Sequence, residues 1–458
     1  MSESLILAKY IVECQFEDLS PKVVEVTKRS LLDGIGVTLG AGGLCEPCQA
    51  FVDMAVGMEG KKEATIIGFG ERVPAEMAAF ANGSMAHALD FEDAHDRALV
   101  HSNAVVIPAA LAIAEALGNV DGKKLVTALA IGSDLVCRLG LCFREDPADH
   151  GWYTPPIVGA FGAAAAVGKL LNLNEQQMLD AFSLTLCQAT CSAELKYSPL
   201  SDIRAVRDAF AAKAGLISAR LAQKGVKGFD LPFEGKAGFF QLYVNGKFDS
   251  QELTGELRQR FEGSNVSFKP WPTCRGTHAY IEAALKLSDE YDIKVENIKE
   301  INVVVSNLNK MLVEPIANKQ NPATSIDAKF SLPFTIAAAL IHRKINLGHF
   351  TAEGLKDQEV IKLGKKLKYT VDPDIPFQES GRGYIELVDH YGQTYSLGIK
   401  EAYGNPNNPI TQQGIIEKFK DCASRAKRQI PEDDLEAVID QILSIERIGN
   451  VSEVLKRL

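Results

Sequence analysis

The sequence predicts a mainly α protein, with a large all-helical domain built from residues 1–268 and 402–458 and a smaller α+β domain from residues 269–401. Three observations carry this expectation. Apolar residues recur at helical spacing from the start to about Arg260, β-branched runs are confined to the stretch after Lys269, and helical periodicity returns after the turn-rich Asn405-Pro-Asn-Asn-Pro409.

The first helix is expected in MSESLILAKYIVECQFEDL, where Glu3 and Glu13 interrupt the apolar pattern and no basic leader or small-residue cleavage site precedes it. Further helical windows run over Val23 to Leu39, Met77 to Leu89, Val105 to Leu117, Lys124 to Leu139, Ile157 to Leu171 and Ala205 to Gln223. Gly159-Ala-Phe-Gly162-Ala-Ala-Ala-Ala166 presents almost no side-chain bulk, so that helix is expected to be buried on several sides. In the smaller domain, Ile298 to Val305 reads as a strand. Tyr384 to His390 and Thr394 to Leu397 read as a hairpin around Tyr-Gly-Gln, and Tyr369 to Val371 adds a fourth strand. Helices are expected over Phe334 to Ile345 and Ala352 to Leu363, then over Ile410 to Lys427 and Glu432 to Leu458.

With 458 residues, 46% of them hydrophobic, the chain can bury a sizeable core, and its formal net charge of -10 argues against nucleic acid as a partner. An anionic substrate would need a locally basic pocket recessed in that acidic surface. Nine cysteines, mostly in apolar helical patterns such as Cys187 and Cys191, do not form a disulfide framework, which points to the cytoplasm. Cys45 and Cys48 form a CxxC without a second pair or a nearby His, so they are read as loop cysteines. The weakly polar stretches Val105 to Gly118 and Ile157 to Leu171 are too short to span a bilayer, which takes about 20 residues. No Gly-rich phosphate loop follows a strand, so no nucleotide cofactor is expected.

The densest polar cluster is His87-Ala-Leu-Asp90-Phe-Glu92-Asp93-Ala-His95-Asp96-Arg97, followed by His101-Ser-Asn103. It lies between two apolar helices and suits a loop that delivers an acid or base to a cavity, because a histidine titrates near neutrality. The plainer alternative is a solvated acidic turn in which Ser102 or Asn103 caps the next helix. A third reading takes His87, His95-Asp96 and Asp134 as an imitation of the ligand series of HD-type metal phosphohydrolases. Arg204 and Arg207, three apart, could fork onto a dicarboxylate or simply form a surface ion network with Asp202 and Asp208. Lys269-Pro-Trp-Pro-Thr-Cys274-Arg275-Gly-Thr-His278 is stiffened by two prolines and gathers a Lys, a thiol, an Arg and a His at the domain junction, where clefts tend to lie.

The run Ala86-His-Ala-Leu-Asp90-Phe-Glu-Asp93, preceded by Ala81-Asn-Gly83, resembles the A-N-G-x-x-A-H-x-x-D-F-D-D pattern of the MmgE/PrpD family. Gly159-Ala-Phe-Gly162, Lys269-Pro-Trp-Pro-Thr-Cys274 and Asp327-Ala-Lys-Phe-Ser-Leu-Pro333-Phe334 extend the resemblance over most of the chain. That family includes 2-methylcitrate dehydratase, cis-aconitate decarboxylase and iminodisuccinate epimerase. The resemblance implies a helical domain with an α+β lid, a homodimer, no cofactor or metal, and a site between the two domains.

Carried over by position, the resemblance implies Asp90, His101 and Lys269 as retained catalytic residues. Tyr153 stands where the decarboxylase branch has a second His, Arg204 where it has a Lys, and Cys274 where it has a His. Arg204 keeps the charge but cannot serve as a base. The resulting expectation is a lyase of a small polycarboxylate, with Asp90, His101, Tyr153 and Lys269 catalytic. Asp93, Arg204, Arg207, Cys274, Arg275 and His278 are expected to bind the substrate. Dehydration of a 2-methylcitrate-like compound leads, with epimerisation or decarboxylation as alternatives.

Overall fold

A computed structural model describes residues 1–198, 200–376 and 379–458. The chain is mainly α, 58% helix against 8% strand. It divides into two compact units, one formed by Met1–Tyr197, Asp202–Val266 and Thr411–Leu458, the other by Ser198–Ser201 and Ser267–Ile410.

The first unit is a stack of helices whose boundaries follow local chemistry. Ser20 caps the helix Pro21–Leu44 by accepting from the Val23 N–H, with Pro21 at the first position where its missing N–H costs nothing. The N-terminal helix, Glu3–Glu13, is capped in the same way by Ser2. The helices Ser102–Leu117, Gly122–Cys142 and Thr154–Leu170 are buried along nearly their whole lengths, which requires small residues at their crossings. A Cβ on Gly162 would lie 2.7 Å from the Gly132 carbonyl oxygen, and one on Gly215, in the helix Asp208–Gln223, 2.6 Å from that of Ala160. The C-terminal helix Gln412–Ala423 rejoins this unit by lying against Pro21–Leu44, where a Cβ on Gly36 would come within 3.1 Å of the Phe419 Cα.

Several sequence expectations shift. The Ala205 to Gln223 window is two segments, Ile203–Val206 and Asp208–Gln223, that meet at Arg207. The expected helix from Glu432 stops at Leu443 and resumes only as short turns, Ile445–Arg447 and Ser452–Leu455. Cys48 is a buried helix residue rather than a loop one, whereas Cys187 is an exposed helix end; all nine cysteines are free thiols. A small hairpin, β1 (Ala64–Thr65) with β2 (Arg72–Val73), interrupts the helical half. The helix Gly122–Cys142 is long and apolar enough to cross a bilayer, a length the sequence reading did not assign it, and 94% of its apolar window is buried inside the protein. Beyond the two lysines of its first turn its charges are Asp134 and Arg138, which pair with each other at 2.7 Å inside the protein.

The second unit is a four-stranded sheet with helices. Strand β3 (Ile298–Val305) pairs in parallel with β4 (Leu367–Val371) and antiparallel with β5 (Gly383–Asp389), which pairs with β6 (Thr394–Ile399). Its spatial order is β4-β3-β5-β6. Ile301, Val303 and Val305 alternate into the core, as a strand with one covered face requires. The helix His278–Tyr291 packs on β5 and β6, and Leu332–His342 packs on that helix. The latter ends three residues before the expected Ile345 because Arg343 adopts a left-handed conformation. The expected helix over Ala352 to Leu363 is a short turn, Gly354–Lys356, followed by Gln358–Gly364.

Candidate active site

In the first unit, the polar cluster begins inside a helix rather than in a loop. His87 occupies the last turn of Ala75–Ala88, and the chain then turns through Asp90, held at φ +47° with its N–H on the His87 carbonyl at 2.7 Å. A left-handed Asp costs less than most residues there, because its short polar side chain tolerates that region. The loop carries Glu92 back beneath His87 and ends at His101, the residue before the helix Ser102–Leu117. No side chain caps that helix; Asn103 instead donates to Asp93.

Glu92 joins two imidazoles. Its Oε1 lies 2.5 Å from His87 Nδ1 and 2.7 Å from His101 Nδ1, and the two rings meet edge to face at 4.9 Å. His87 and Glu92 are both 1% exposed at the side chain, His101 17%. Burial, reinforced by the Arg207 guanidinium, holds His87 below the ordinary imidazole range, so it is neutral near pH 7. His87 Nδ1 also faces Asp208 Oδ2 at 4.0 Å, and Asp208 faces Arg207 at 3.8 Å. The Arg207 guanidinium lies 5.0 Å from the centre of the Tyr153 ring, over which Lys196 also stands at 5.5 Å. One continuous group therefore runs from His101 through Glu92, His87, Asp208 and Arg207 to Tyr153.

Three of its members, His101, Tyr153 and Arg207, stand immediately before helices, at Ser102–Leu117, Thr154–Leu170 and Asp208–Gln223. Such ends carry partial positive charge and favour anions. Arg204 is half-buried, and its carbonyl accepts from Arg207 Nη1 at 2.6 Å. The surface ion network of Asp202, Arg204, Arg207 and Asp208 does not form as such, because Arg207 and Asp208 are buried.

His87, Asp90, Glu92 and His101 offer ligand atoms within 4.8 Å of one another. Their closest contacts are hydrogen-bond distances. Two nitrogens 2.5 and 2.7 Å from one oxygen crowd closer than ligands spread around an ion at about 2.0–2.2 Å, so a shared proton fits this group better than a cation. The HD-type ligand series is not assembled. His95 accepts from the Ala98 N–H and meets Glu262 at 3.3 Å, while Asp134 holds Arg138 and accepts from Tyr10 Oη at 2.9 Å.

Other expected site residues have internal duties. Asp93, expected to bind substrate, accepts from Ser30 Oγ at 2.8 Å and from Asn103 within the core. In the second unit, Arg275 spans the Tyr403 and Ala402 carbonyls at 2.8 and 3.1 Å. His278, fully buried, accepts from Arg275 and donates to the Thr273 carbonyl at 3.2 Å. These contacts tie Arg275 and His278 to each other, to the backbone and to Ser267 Oγ within that unit. Lys269 is wholly buried in the same unit, and Cys274 is half-buried there.

Burial and the neighbouring Asp33 push the Asp93 carboxyl up to about 6. A carboxyl raised above its unfolded value of about 3.9 contributes stability that is complete below that value and is lost as pH climbs through 6. Asp93→Asn, which keeps an acceptor for Ser30 and Asn103, should therefore gain on the parent by about 1 kcal/mol between pH 5 and pH 8. Urea unfolding at the two pH values checks this; a gap that does not change with pH would show that Asp93 is ionised in the folded protein.

Sequence reasoning undervalued Glu92, His87 and Asp208 as functional groups and did not see Lys418. That lysine reaches from Gln412–Ala423 to Asp33 at 2.6 Å and to the Phe91 carbonyl at 2.5 Å, so it grips the loop between Asp90 and Glu92. The sequence signals for Glu92 were its place in the polar cluster and in the Asp90-Phe-Glu-Asp93 run.

Residues 6–251 match the MmgE/PrpD N-terminal domain, and residues 271–442 match the MmgE/PrpD C-terminal domain. The chain belongs to the MmgE/PrpD family. Among its relatives in the MmgE/PrpD family is a cis-aconitate decarboxylase-like protein of Aspergillus oryzae, 28% identical over 98% of this chain and 95% of the relative. The cis-aconitate decarboxylase of Aspergillus terreus is 25% identical over 96% and 93%, and that of Homo sapiens 25% identical over 95% and 90%. MmgE/PrpD membership thus extends along both units.

Proposed function

We propose that the chain is a lyase of a small hydroxy-polycarboxylate, of the 2-methylcitrate kind, that removes a proton from the carbon next to a carboxylate. The observation that carries this reading is the Glu92 carboxylate set 2.7 Å from Nδ1 of the more accessible of two imidazoles. With Nδ1 turned to Glu92, the Nε2 of His101 is the nitrogen left to accept the substrate's proton. Glu92 then stabilises the imidazolium that forms, much as the acid of a catalytic triad does.

As the C–H bond breaks, negative charge spreads onto the adjacent carboxylate. Arg207, Arg204 and the helix starts at Thr154 and Asp208 supply positive charge for it. The electron pair then forms the double bond and the β-hydroxyl departs, taking a proton from the Tyr153 phenol to leave as water. Asp90, in its constrained turn, fixes the loop that presents Glu92 and His101.

A second reading, decarboxylation of an unsaturated tricarboxylate, is favoured by the names of the full-length relatives. In it the C–C bond to a carboxylate breaks, carbon dioxide leaves, and His101 returns a proton to the carbon. Incubating the protein in D₂O with methylcitrate, citrate, the aconitate isomers and substituted succinates separates the two. An unsaturated product without gas supports dehydration, and carbon dioxide with one deuterium at carbon supports decarboxylation. A panel in which nothing is converted or exchanges deuterium would remove polycarboxylate chemistry from consideration.

A further inference from the structure

The first unit holds a second recess, away from the residues assigned above. It encloses about 670 Å³ and is lined by the C-terminal end of the helix Glu3–Glu13, the start of Gly122–Cys142, the end of Thr154–Leu170 and the segment Glu446–Gly449. That volume is typical of a small-molecule site. Four cations line it, Lys123, Lys124, Lys169 and Arg447, against three carboxylates, Glu17, Asp121 and Glu446.

The carboxylates are largely spoken for. Asp121 Oδ1 accepts the backbone N–H of Lys124 at 2.9 Å as the helix cap, Glu446 lies 3.5 Å from Lys28, and Glu17 lies 3.9 Å from Lys123. No carboxylate among the described residues stands within 4.0 Å of the Lys124 or Lys169 ammonium. Lys169 gives one proton to the Val12 carbonyl at 2.7 Å, which leaves two. Burial pushes both lysines below the ordinary range, and for Lys169 the nearby Lys124 adds to it. Lys124 is half-buried in the positive first turn of Gly122–Cys142, where an ammonium is costly, and it repels half-buried Lys169 in the last turn of Thr154–Leu170.

We infer that this recess binds a small polyanion bearing phosphate or several carboxylates, held by Lys124 and Lys169 with Lys123 and Arg447 at the rim. A bound anion satisfies the open ammonium donors and relieves their repulsion. The inference is independent of the reaction proposed above, since none of these residues belongs to that group.

Calorimetric titration of the full chain at low salt with inorganic phosphate, and separately with citrate, tests it. Lys124→Gln and Lys169→Met should each weaken the bound anion by roughly tenfold or more, the loss of a charged hydrogen bond. His101→Gln should leave that binding as it was. Binding that the lysine variants weaken for phosphate alone assigns a phosphate-bearing ligand to the recess, and for citrate alone a polycarboxylate. The inference falls if neither anion binds below about 10 mM, a bare 3 kcal/mol of affinity, or if both lysine variants, with unchanged circular dichroism, bind less than roughly tenfold more weakly than the parent.

Discussion

His101→Gln is expected to lower turnover on the true substrate about 10²- to 10⁴-fold with little change in KM, the contribution of a positioned acid or base. Glutamine is close to imidazole in size, and His101 is the more open of the two histidines, so the fold should survive the change. Neutral His87 cannot replace it, because burial at 1% exposure keeps its ring from the solvent side of the group. The discriminating measurement is exchange of substrate C–H for deuterium in D₂O. If the variant exchanges as fast as the parent, another residue takes the proton and the assignment of His101 is wrong.

Glu92→Gln should follow with a fall in kcat of about 10²- to 10³-fold, again with KM nearly unchanged. Glu92 touches no substrate in this scheme. It is a positioning residue that fixes the Nδ1–H form of His87 and balances the charge His101 acquires. Glutamine preserves the shape but removes the charge and offers an amide that can turn a donor toward either ring. An unchanged circular dichroism spectrum and melting temperature beside the lowered kcat separate this role from simple loss of structure, which lowers apparent kcat only in step with the amount of folded protein. Glu92→Asp, with its carboxylate restored at a shorter reach, should recover part of the rate. Equal kinetics for all three forms would reduce Glu92 to a packing residue.

Much of the fold was legible because each element obeys a local rule. The alternation of Ile301, Val303 and Val305 and the turn at Tyr391-Gly392 announce strands, and Ser20-Pro21 announces a helix start. What escaped depends on long-range packing. The Gly122–Cys142 helix was expected only over Lys124 to Leu139, and the pairing of Asp134 with Arg138 in its buried middle depends on packing that no local pattern records. The site was legible in the density of its acids and histidines, and His101 and Asp90 stand in that group. Which acids serve chemistry was not legible: Asp93 and Glu92 are adjacent in sequence, yet one points to Ser30 and Asn103 and the other to two histidines. Arg275 and His278 had the composition of a binding motif, and only the structure gives their carbonyl partners.

The grip of Lys418 on the Phe91 carbonyl and on Asp33 also sets an order of events during synthesis. A ribosome delivers the loop carrying Asp90 and Glu92 more than 300 residues before the lysine that fastens it. The stretch Ser267–Ile410 emerges nearly whole before that and can fold while the helical unit waits with the Gly36 face of Pro21–Leu44 uncovered. Until Gln412–Ala423 is released the loop carrying Asp90 and Glu92 lacks this fastening, and a chain cut short before Lys418 never acquires it.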